Sequence, residues 1–335
     1  MFLLPEMESQ VFCQDEFMYY LCLFINVQMP KLSLVIPVYN EEILIDQLFE
    51  RTTRALNNLT SDYEIICVDD GSKDATLEKL KHYHTLEKRF KVLSLSRNFG
   101  HQAAIFAGLT YARGEFVGVM DGDLQDPPEL LGEFLAKAEE GYDVVYAIRK
   151  KRKESFPKRM IYWAYYRIFK RMSNIYIPLD SGDFALMRNT VIKHLINMRE
   201  QSLYIRGIRS WLGFRQIGLE YDRDRRQGGE PKYTLRKLLR LAFNGIFSFS
   251  EYPVRLISRL GLTVVLISII YIVITLVKKY VYGDVPQGFT TLIIFISLFS
   301  GVQLVALGLI GEYMVRIYDE TRRRPLFIVR EEYID

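Results

Sequence analysis

The stretch "LSLVIPVYN", residues 32–40, is followed at once by "EEILIDQLFERTTRALNNL", residues 41–59. The first is a nearly continuous apolar run rich in valine and isoleucine, the pattern of a strand buried on both faces. The second carries apolar residues at helical spacing. The pairing then repeats. "EIICVDD" (64–70) precedes "DATLEKLKHYHTLEK" (74–88), and "VLSLS" (92–96) precedes "HQAAIFAGLTYAR" (101–113). "FVGVMD" (116–121) precedes "PELLGEFLAKAEE" (128–140), and "DVVYAIR" (143–149) follows. Apolar strands alternating with helices predict a parallel sheet covered on both faces, a doubly wound α/β domain.

In such sheets the ligand lies beyond the carboxyl ends of the strands. The unusual residues fall there. The first strand runs into Pro37, Tyr39, Asn40 and Glu41, the second into Asp69, Asp70, Gly71 and Ser72, and the fourth into Asp121 and Asp123. Carboxylates gathered on one rim repel one another unless a cation sits among them. If the strand continues to residue 123, Asp121 and Asp123 lean to the same side, and two hard oxygen ligands suit Mg2+ or Mn2+ carrying a phosphate. The plainer reading is a set of turn and helix-capping acids. No GxGxxG follows the first strand, which disfavours a dinucleotide-binding oxidoreductase.

Lys and Arg total 44 against 40 Asp and Glu, a mild excess that does not predict a nucleic-acid partner. Cys13, Cys22 and Cys67 make no zinc or disulfide pattern and read as free thiols. Two uncharged runs stand apart: "LGLTVVLISIIYIVITLV" (260–277) and "FTTLIIFISLFSGVQLVALGLI" (289–310). A helix needs roughly 20 apolar residues to cross a bilayer. Arg255 and Arg259 before the runs, and Arg316, Arg322, Arg323 and Arg324 after them, outnumber Lys278 and Lys279 between. The positive-inside rule then puts both the large N-terminal part and the C-terminus in the cytoplasm, on a multi-pass protein of the inner (plasma) membrane. "KYTLRKLLRLAFNGIFSFS" (232–250) fits an amphipathic helix lying in the interface. The basic run "RKKRKESFPKR" (149–159) is either a solvated loop or a patch for anionic headgroups and phosphates. Residues 1–28 have neither the basic start nor the cleavage site of a signal peptide, and all the motifs follow them. The expected organisation is therefore an extension (1–28), an α/β catalytic domain (29–233), interfacial helices (234–259), two transmembrane helices (260–311) and a cytoplasmic tail (312–335).

"IPVYNEE", "VDDGSKDAT", "LSRNFGHQAAIFAGL" and "MDGDLQDPPE" together resemble the family 2 glycosyltransferases of the GT-A fold. With "SGDFALM", "KYTLRKLLRLAFNGIFSFS" and "GEYMVRIYDETRRRP", the likeness narrows to the polyisoprenyl-phosphate glycosyltransferases of the bactoprenol glucosyltransferase type, relatives of dolichol-phosphate mannose synthase. It covers about residues 31 to 329. The resemblance implies an inverting, metal-dependent enzyme that moves one hexose, UDP-glucose being the expected donor, to undecaprenyl phosphate or a similar polyprenyl phosphate. Another donor, such as UDP-GlcNAc or GDP-mannose, or a non-catalytic membrane scaffold of the same fold, is the alternative.

Carried onto this chain, the resemblance assigns Pro37, Tyr39, Asn40, Glu41, Asp69, Asp70, Gly71 and Ser72 to the nucleotide-sugar. Asp121 falls near the ribose and diphosphate, and Asp123 with Gln125 at the Mg2+ or Mn2+. Asp183 falls beside the acceptor, and Arg226 and Lys232 at a phosphate. It also implies a homo-oligomer, a tetramer. Relatives often carry Arg where this chain has Ala185, so that phosphate contact is either lost or supplied by Arg149 or Arg188. Pro231 replaces a usual Ser or Thr, which removes a hydroxyl and a backbone donor. His101, just ahead of a helix, is read as a surface or capping residue rather than a catalytic one.

Overall fold

The computed structural model describes residues 29–149, residues 181–222 apart from 199 and 202, residues 288–334, and scattered positions between 259 and 281. The extension 1–28, most of the basic run, Arg226, Lys232, Pro231 and the proposed interfacial helix lie outside the described residues.

The repeat begins with strand β1 (Leu32–Val38), all seven residues of which are buried. Helix α1 (Ile45–Asn57) buries Ile45, Leu48, Thr52, Ala55 and Leu56, the one-face spacing of a helix laid on a sheet. Strand β2 (Tyr63–Asp69), helix α2 (Thr76–Leu86), strand β3 (Phe90–Leu95) and helix α3 (His101–Tyr111) follow. Helix α3 is nearly all apolar and packs closely, since any side chain at Gly108 would collide with Val35. Strand β4 (Phe116–Val119), helix α4 (Leu131–Glu139) and strand β5 (Val144–Arg149) complete the region read from periodicity.

The four central strands are parallel, in the order β3-β2-β1-β4. The sheet as a whole is mixed, which corrects the expectation of a parallel one. Strand β6 (Ser181–Arg188) inserts antiparallel between β4 and β5, so β5 is not the neighbour of β4. Helices α5 (Asn189–Asn197) and α6 (Ile205–Trp211) lead to β7 (Gln216–Tyr221), which pairs in parallel with β5 at one edge. At the other edge β8 (Val329–Tyr333) runs antiparallel to β3, with Val92 opposite Tyr333. The full order is β7-β5-β6-β4-β1-β2-β3-β8. Strand β6 escaped the reading because "SGDFALM" is short and follows the basic run rather than a helical pattern.

Helix α7 (Phe289–Arg322) precedes β8. Its Leu298–Arg322 stretch is long and apolar enough to cross a membrane, and none of it is buried in the protein. Among the described residues it is the one such helix. The described positions between 259 and 281 are helical, with Leu262, Leu266, Ile267 and Ile270 exposed, but the earlier run at 260–277 lies partly outside the described residues. Two spans are thus not established. Cys67 lies in the core, where burial pushes its thiol up, so it is inert.

Candidate active site

The loops after β1 and β2 are stapled to one another. The Asn40 amide donates to Ser72 Oγ at 2.9 Å, and the Lys73 amide donates back to Asn40 Oδ1 at 2.9 Å. The Glu41 amide donates to Thr76 Oγ1, and the Ala75 amide to Glu42 Oε2. Asn40 adopts φ 52°, a left-handed conformation that asparagine tolerates better than most residues. Asp69 accepts from the Ser72 amide and from Ser94 Oγ. Asp70 accepts from the Phe99 and Gly100 amides at 2.7 and 3.0 Å. Burial raises the Asp70 carboxyl above its usual range against the pull of those amides. Gly71 has φ 70°, and a Cβ there would stand 2.6 Å from the Arg97 carbonyl carbon. Pro37, Tyr39, Asn40 and Glu41 thus lie at the end of β1 and in the loop after it, and Asp69, Asp70, Gly71 and Ser72 at the end of β2 and in its loop, with Asp69 tying that loop to β3 and Asp70 tying it to the loop after β3.

Strand register gathers the rest. Strands β4 and β6 pair Val119 with Ala185 and Gly118 with Leu186. Asp121, two residues past the end of β4, and Asp183, on β6, bring carboxylate oxygens within 4.8 Å of one another. Two facing carboxylates would repel. His101, at the start of α3, stands between them, its Nε2 at 3.3 Å from Asp121 Oδ1 and 3.4 Å from Asp183 Oδ2. Burial works against the charged imidazole, but hydrogen bonds to Asp121 and Asp183 overcome it and raise His101 to about 11. Asp121 in turn is held below its usual range by His101, despite burial.

Asp183 is buried, and Arg206 of α6 grips it with Nε on Oδ1 at 2.8 Å and Nη2 on Oδ2 at 3.0 Å. The third guanidinium nitrogen, Nη1, donates to the Ser181 carbonyl. Gln102 Nε2 adds a bond to Asp183 Oδ2 at 3.2 Å. Burial opposes ionisation of Asp183, but Arg206 and His101 outweigh it and hold the carboxyl well below the usual range. Behind the pair lies Arg209, fully buried with its guanidinium 4.9 Å from the Tyr146 ring; desolvation lowers it to about 10.

Strand β4 stops at Val119, so Asp121 and Asp123 do not share a face by strand alternation. Residues beyond it form a tight turn in which the Gln125 amide donates to Asp123 Oδ1 at 3.2 Å and Leu124 takes φ 57°. Asp126 is buried and accepts from the Tyr221 hydroxyl. Arg149, at the end of β5, is pulled toward this pair: burial disfavours its charge, but Asp126 more than restores it. Its Nη2 lies 3.2 Å from where a Cβ on Gly182 would stand, next to Asp183. Arg188 is different. It reaches Glu115, the Ala138 carbonyl and Asp143 from the far end of β6, so the expectation that it could serve the site is corrected. Ala185 is buried between Val119 and Tyr146.

Residues 33–196 match the model of the family described as "Glycosyl transferase family 2". The chain is 44% identical over 302 residues to "Uncharacterized glycosyltransferase YkcC" of Bacillus subtilis (strain 168), covering 90% of this chain and 94% of that one. The chain belongs to the family 2 glycosyltransferases. It is also 36% identical over 303 residues to the "Prophage bactoprenol glucosyl transferase homolog" of Escherichia coli (strain K12), covering 90% and 98%. With the "Bactoprenol glucosyl transferase" of Shigella phage SfV the identity is 37% over 305 residues, covering 90% and 99%. The α/β architecture with its mixed sheet is the GT-A fold of this family.

In this glycosyltransferase the fit to a divalent cation can be judged from the donor set. His101, Asp121 and Asp183 each offer one ligand atom, and the three atoms lie within 4.8 Å of one another. The carboxylates suit Mg2+ or Mn2+, and Asp123 stands on the next turn. With His101 protonated between them, the carboxylate oxygens and not the imidazole are the groups here that fit such an ion. Periodicity did not reveal His101, Gln102, Arg206 or Arg209. The one available signal was Gly100-His101, a small residue followed by an imidazole at the rim end of β3. For Arg206 no local signal existed, because its partner Asp183 lies 23 residues earlier in the chain, on β6.

Proposed function

We propose that this glycosyltransferase moves a single hexose from a nucleotide-sugar, UDP-glucose in the first instance, to a polyprenyl phosphate such as undecaprenyl phosphate, with inversion. The observation that carries the reading is end-to-end similarity to proteins named bactoprenol glucosyl transferase, at 36–37% identity over 98–99% of their length. The His101–Asp121–Asp183–Arg206 cluster at the rim of the sheet supports it.

The rim loops of β1 and β2, with Pro37, Tyr39, Asn40, Glu41, Asp69, Asp70, Gly71 and Ser72, frame the base and ribose. Asp121 lies toward the ribose and diphosphate, and Asp123 with Gln125 would hold a Mg2+ or Mn2+ ion, which would supply charge neutralisation for the leaving diphosphate. The acceptor phosphate attacks the anomeric carbon from the face opposite that diphosphate. Its second pKa is near 6, so it is largely dianionic at neutral pH and needs no strong base. That agrees with an Asp183 already engaged by Arg206, which makes Asp183 an orienting group rather than a proton acceptor. Arg149, Arg226 and Lys232 are assigned to phosphate. The apolar helix α7 anchors the enzyme in the membrane; a second span at 260–277, interfacial helices at 234–259, a cytoplasmic catalytic domain and a homo-tetramer complete the reading. The test is to incubate membranes containing the protein with a panel of labelled nucleotide-sugars and undecaprenyl phosphate and to identify the labelled lipid. Label transferred to a polysaccharide, or to no lipid from any donor, would overturn it.

A further inference from the structure

The chain beyond α7 returns to the catalytic sheet and touches both loops that carry the cationic residues of the site. On one side the Ser96 amide, at the start of the loop leading to His101, donates to the Ile328 carbonyl at 2.8 Å. The Phe327 ring lies 6.4 Å from the Phe106 ring of α3, the helix that His101 begins. On the other side the Gln201 amide donates to Glu320 Oε1 at 2.8 Å, and Gln201 Nε2 donates to the Arg324 carbonyl at 2.8 Å. Leu326 and Phe327 pack against the core cluster that contains Ile205 and Ile208, the residues flanking Arg206 on α6. The two loops also meet directly: the Ile205 amide donates to Gln102 Oε1 at 3.0 Å, while Gln102 Nε2 holds Asp183.

The end of α7 is thus bonded to the loop before Arg206, and the residues after it are wedged beneath the helix that starts at His101. We infer that residues 320–328 position the site: Gln201 and Phe327 hold Arg206 and His101 in register on Asp183, so the catalytic arrangement is complete only when the chain following the membrane-type helix is docked. Gln201 and Phe327 touch no reacting group; they act through Arg206, Gln102 and His101. The inference rests on the proposed role of Asp183 and its partners in transfer. Its physical basis is that a buried carboxylate with four donors around it tolerates little displacement of any of them.

The test uses the full chain in lipid nanodiscs, as wild type, Gln201→Ala, Phe327→Ala and Phe327→Leu. Hydrogen exchange is followed in residues 97–105 and 203–209, with α2 as the internal reference. Faster exchange is expected in both site segments of Gln201→Ala and Phe327→Ala, with α2 unchanged, and partial recovery in Phe327→Leu, which refills the pocket. Transfer kinetics should show kcat lowered about tenfold with the donor dissociation constant unchanged, as for groups displaced from a productive geometry. Exchange altered only in residues 326–333, or raised equally across the whole sheet, would overturn the inference, and so would an unchanged kcat. A wild type that transfers no sugar to polyprenyl phosphate would overturn the proposed function instead, and the exchange pattern would still decide the positioning role.

Discussion

Arg206 binds both oxygens of Asp183, and His101 stands between the carboxylate so held and that of Asp121. Truncating Arg206 to alanine leaves a buried carboxylate with two fewer donors. Loss of a charge-assisted pair of this kind costs about 2 kcal/mol. Arg206→Ala should therefore lower the midpoint of denaturation measurably and reduce transfer. Arg206→Lys keeps the charge but not the fork, and should recover stability in part and transfer less. Equal denaturation midpoints for wild type and both variants would refute this.

Asp183 and His101 have shifts of opposite sign and one consequence. The Asp183 carboxyl is held below its ordinary value, so its contribution to stability is present above pH 4 and is lost as the pH falls. His101 is raised to about 11, so its contribution is complete below its ordinary value of 6.5 and is lost only as the pH rises toward 11. Neither group should titrate between pH 6 and pH 8. In metal-free enzyme labelled at histidine, one imidazole signal should stay in its protonated position across that range and vanish in His101→Gln. A midpoint near 6.5 for that signal would show that the two carboxylates do not hold the proton.

The divalent ion is tested by removal. Excess chelator should silence transfer, and Mg2+ or Mn2+ should restore it, because the leaving diphosphate loses its counter-charge without the ion. Asp123→Ala should abolish transfer at any added metal concentration, with the cost to folding checked separately by thermal unfolding; Asp123 is half-buried and accepts from the Gln125 amide. Full turnover in chelator would remove the metal from the mechanism.

The phosphate assignment of Arg226 and Lys232 rests on resemblance, so kinetics must carry it. Each alanine variant should lose roughly tenfold or more in use of the polyprenyl phosphate, about the worth of one charge-assisted contact. Donor and lipid are varied separately. If only donor affinity falls, these residues serve the diphosphate and not the acceptor.

Gly71 offers a test that needs no substrate. Its positive φ and the 2.6 Å approach of the Arg97 backbone leave no room for a side chain. Gly71→Ala should cost about 1–3 kcal/mol and loosen the 96–100 loop. Thermal unfolding identical to wild type would contradict the geometry.

The rim of the sheet was legible because strand ends are local. Apolar runs terminate at Asn40, Asp70 and Asp121 whether or not anything else is known. The order of the strands was not legible. The insertion of β6 and the addition of β8 are choices among pairings of similar local pattern, decided by the packing of distant segments. The same limit applies to the site. Asp183 was found through its motif, but Arg206 is one of two arginines on a short helix, and nothing near it in sequence announces a partner on β6. His101 was read as a capping residue because the acids that surround it come from two other strands. Asp121 and Asp123 were paired by strand alternation that the chain abandons at Val119.

The pairing of β8 with β3 also sets an order of assembly during synthesis. Strand β3 leaves the ribosome long before β8, and α7 lies between them in the chain. Until α7 has been made, the outer edge of β3 carries unpaired backbone groups, which is the kind of edge that recruits foreign strands. The nascent enzyme therefore exposes that edge until the residues after α7 have been made. Closure of the sheet by Val329–Tyr333 marks the end of this vulnerable period.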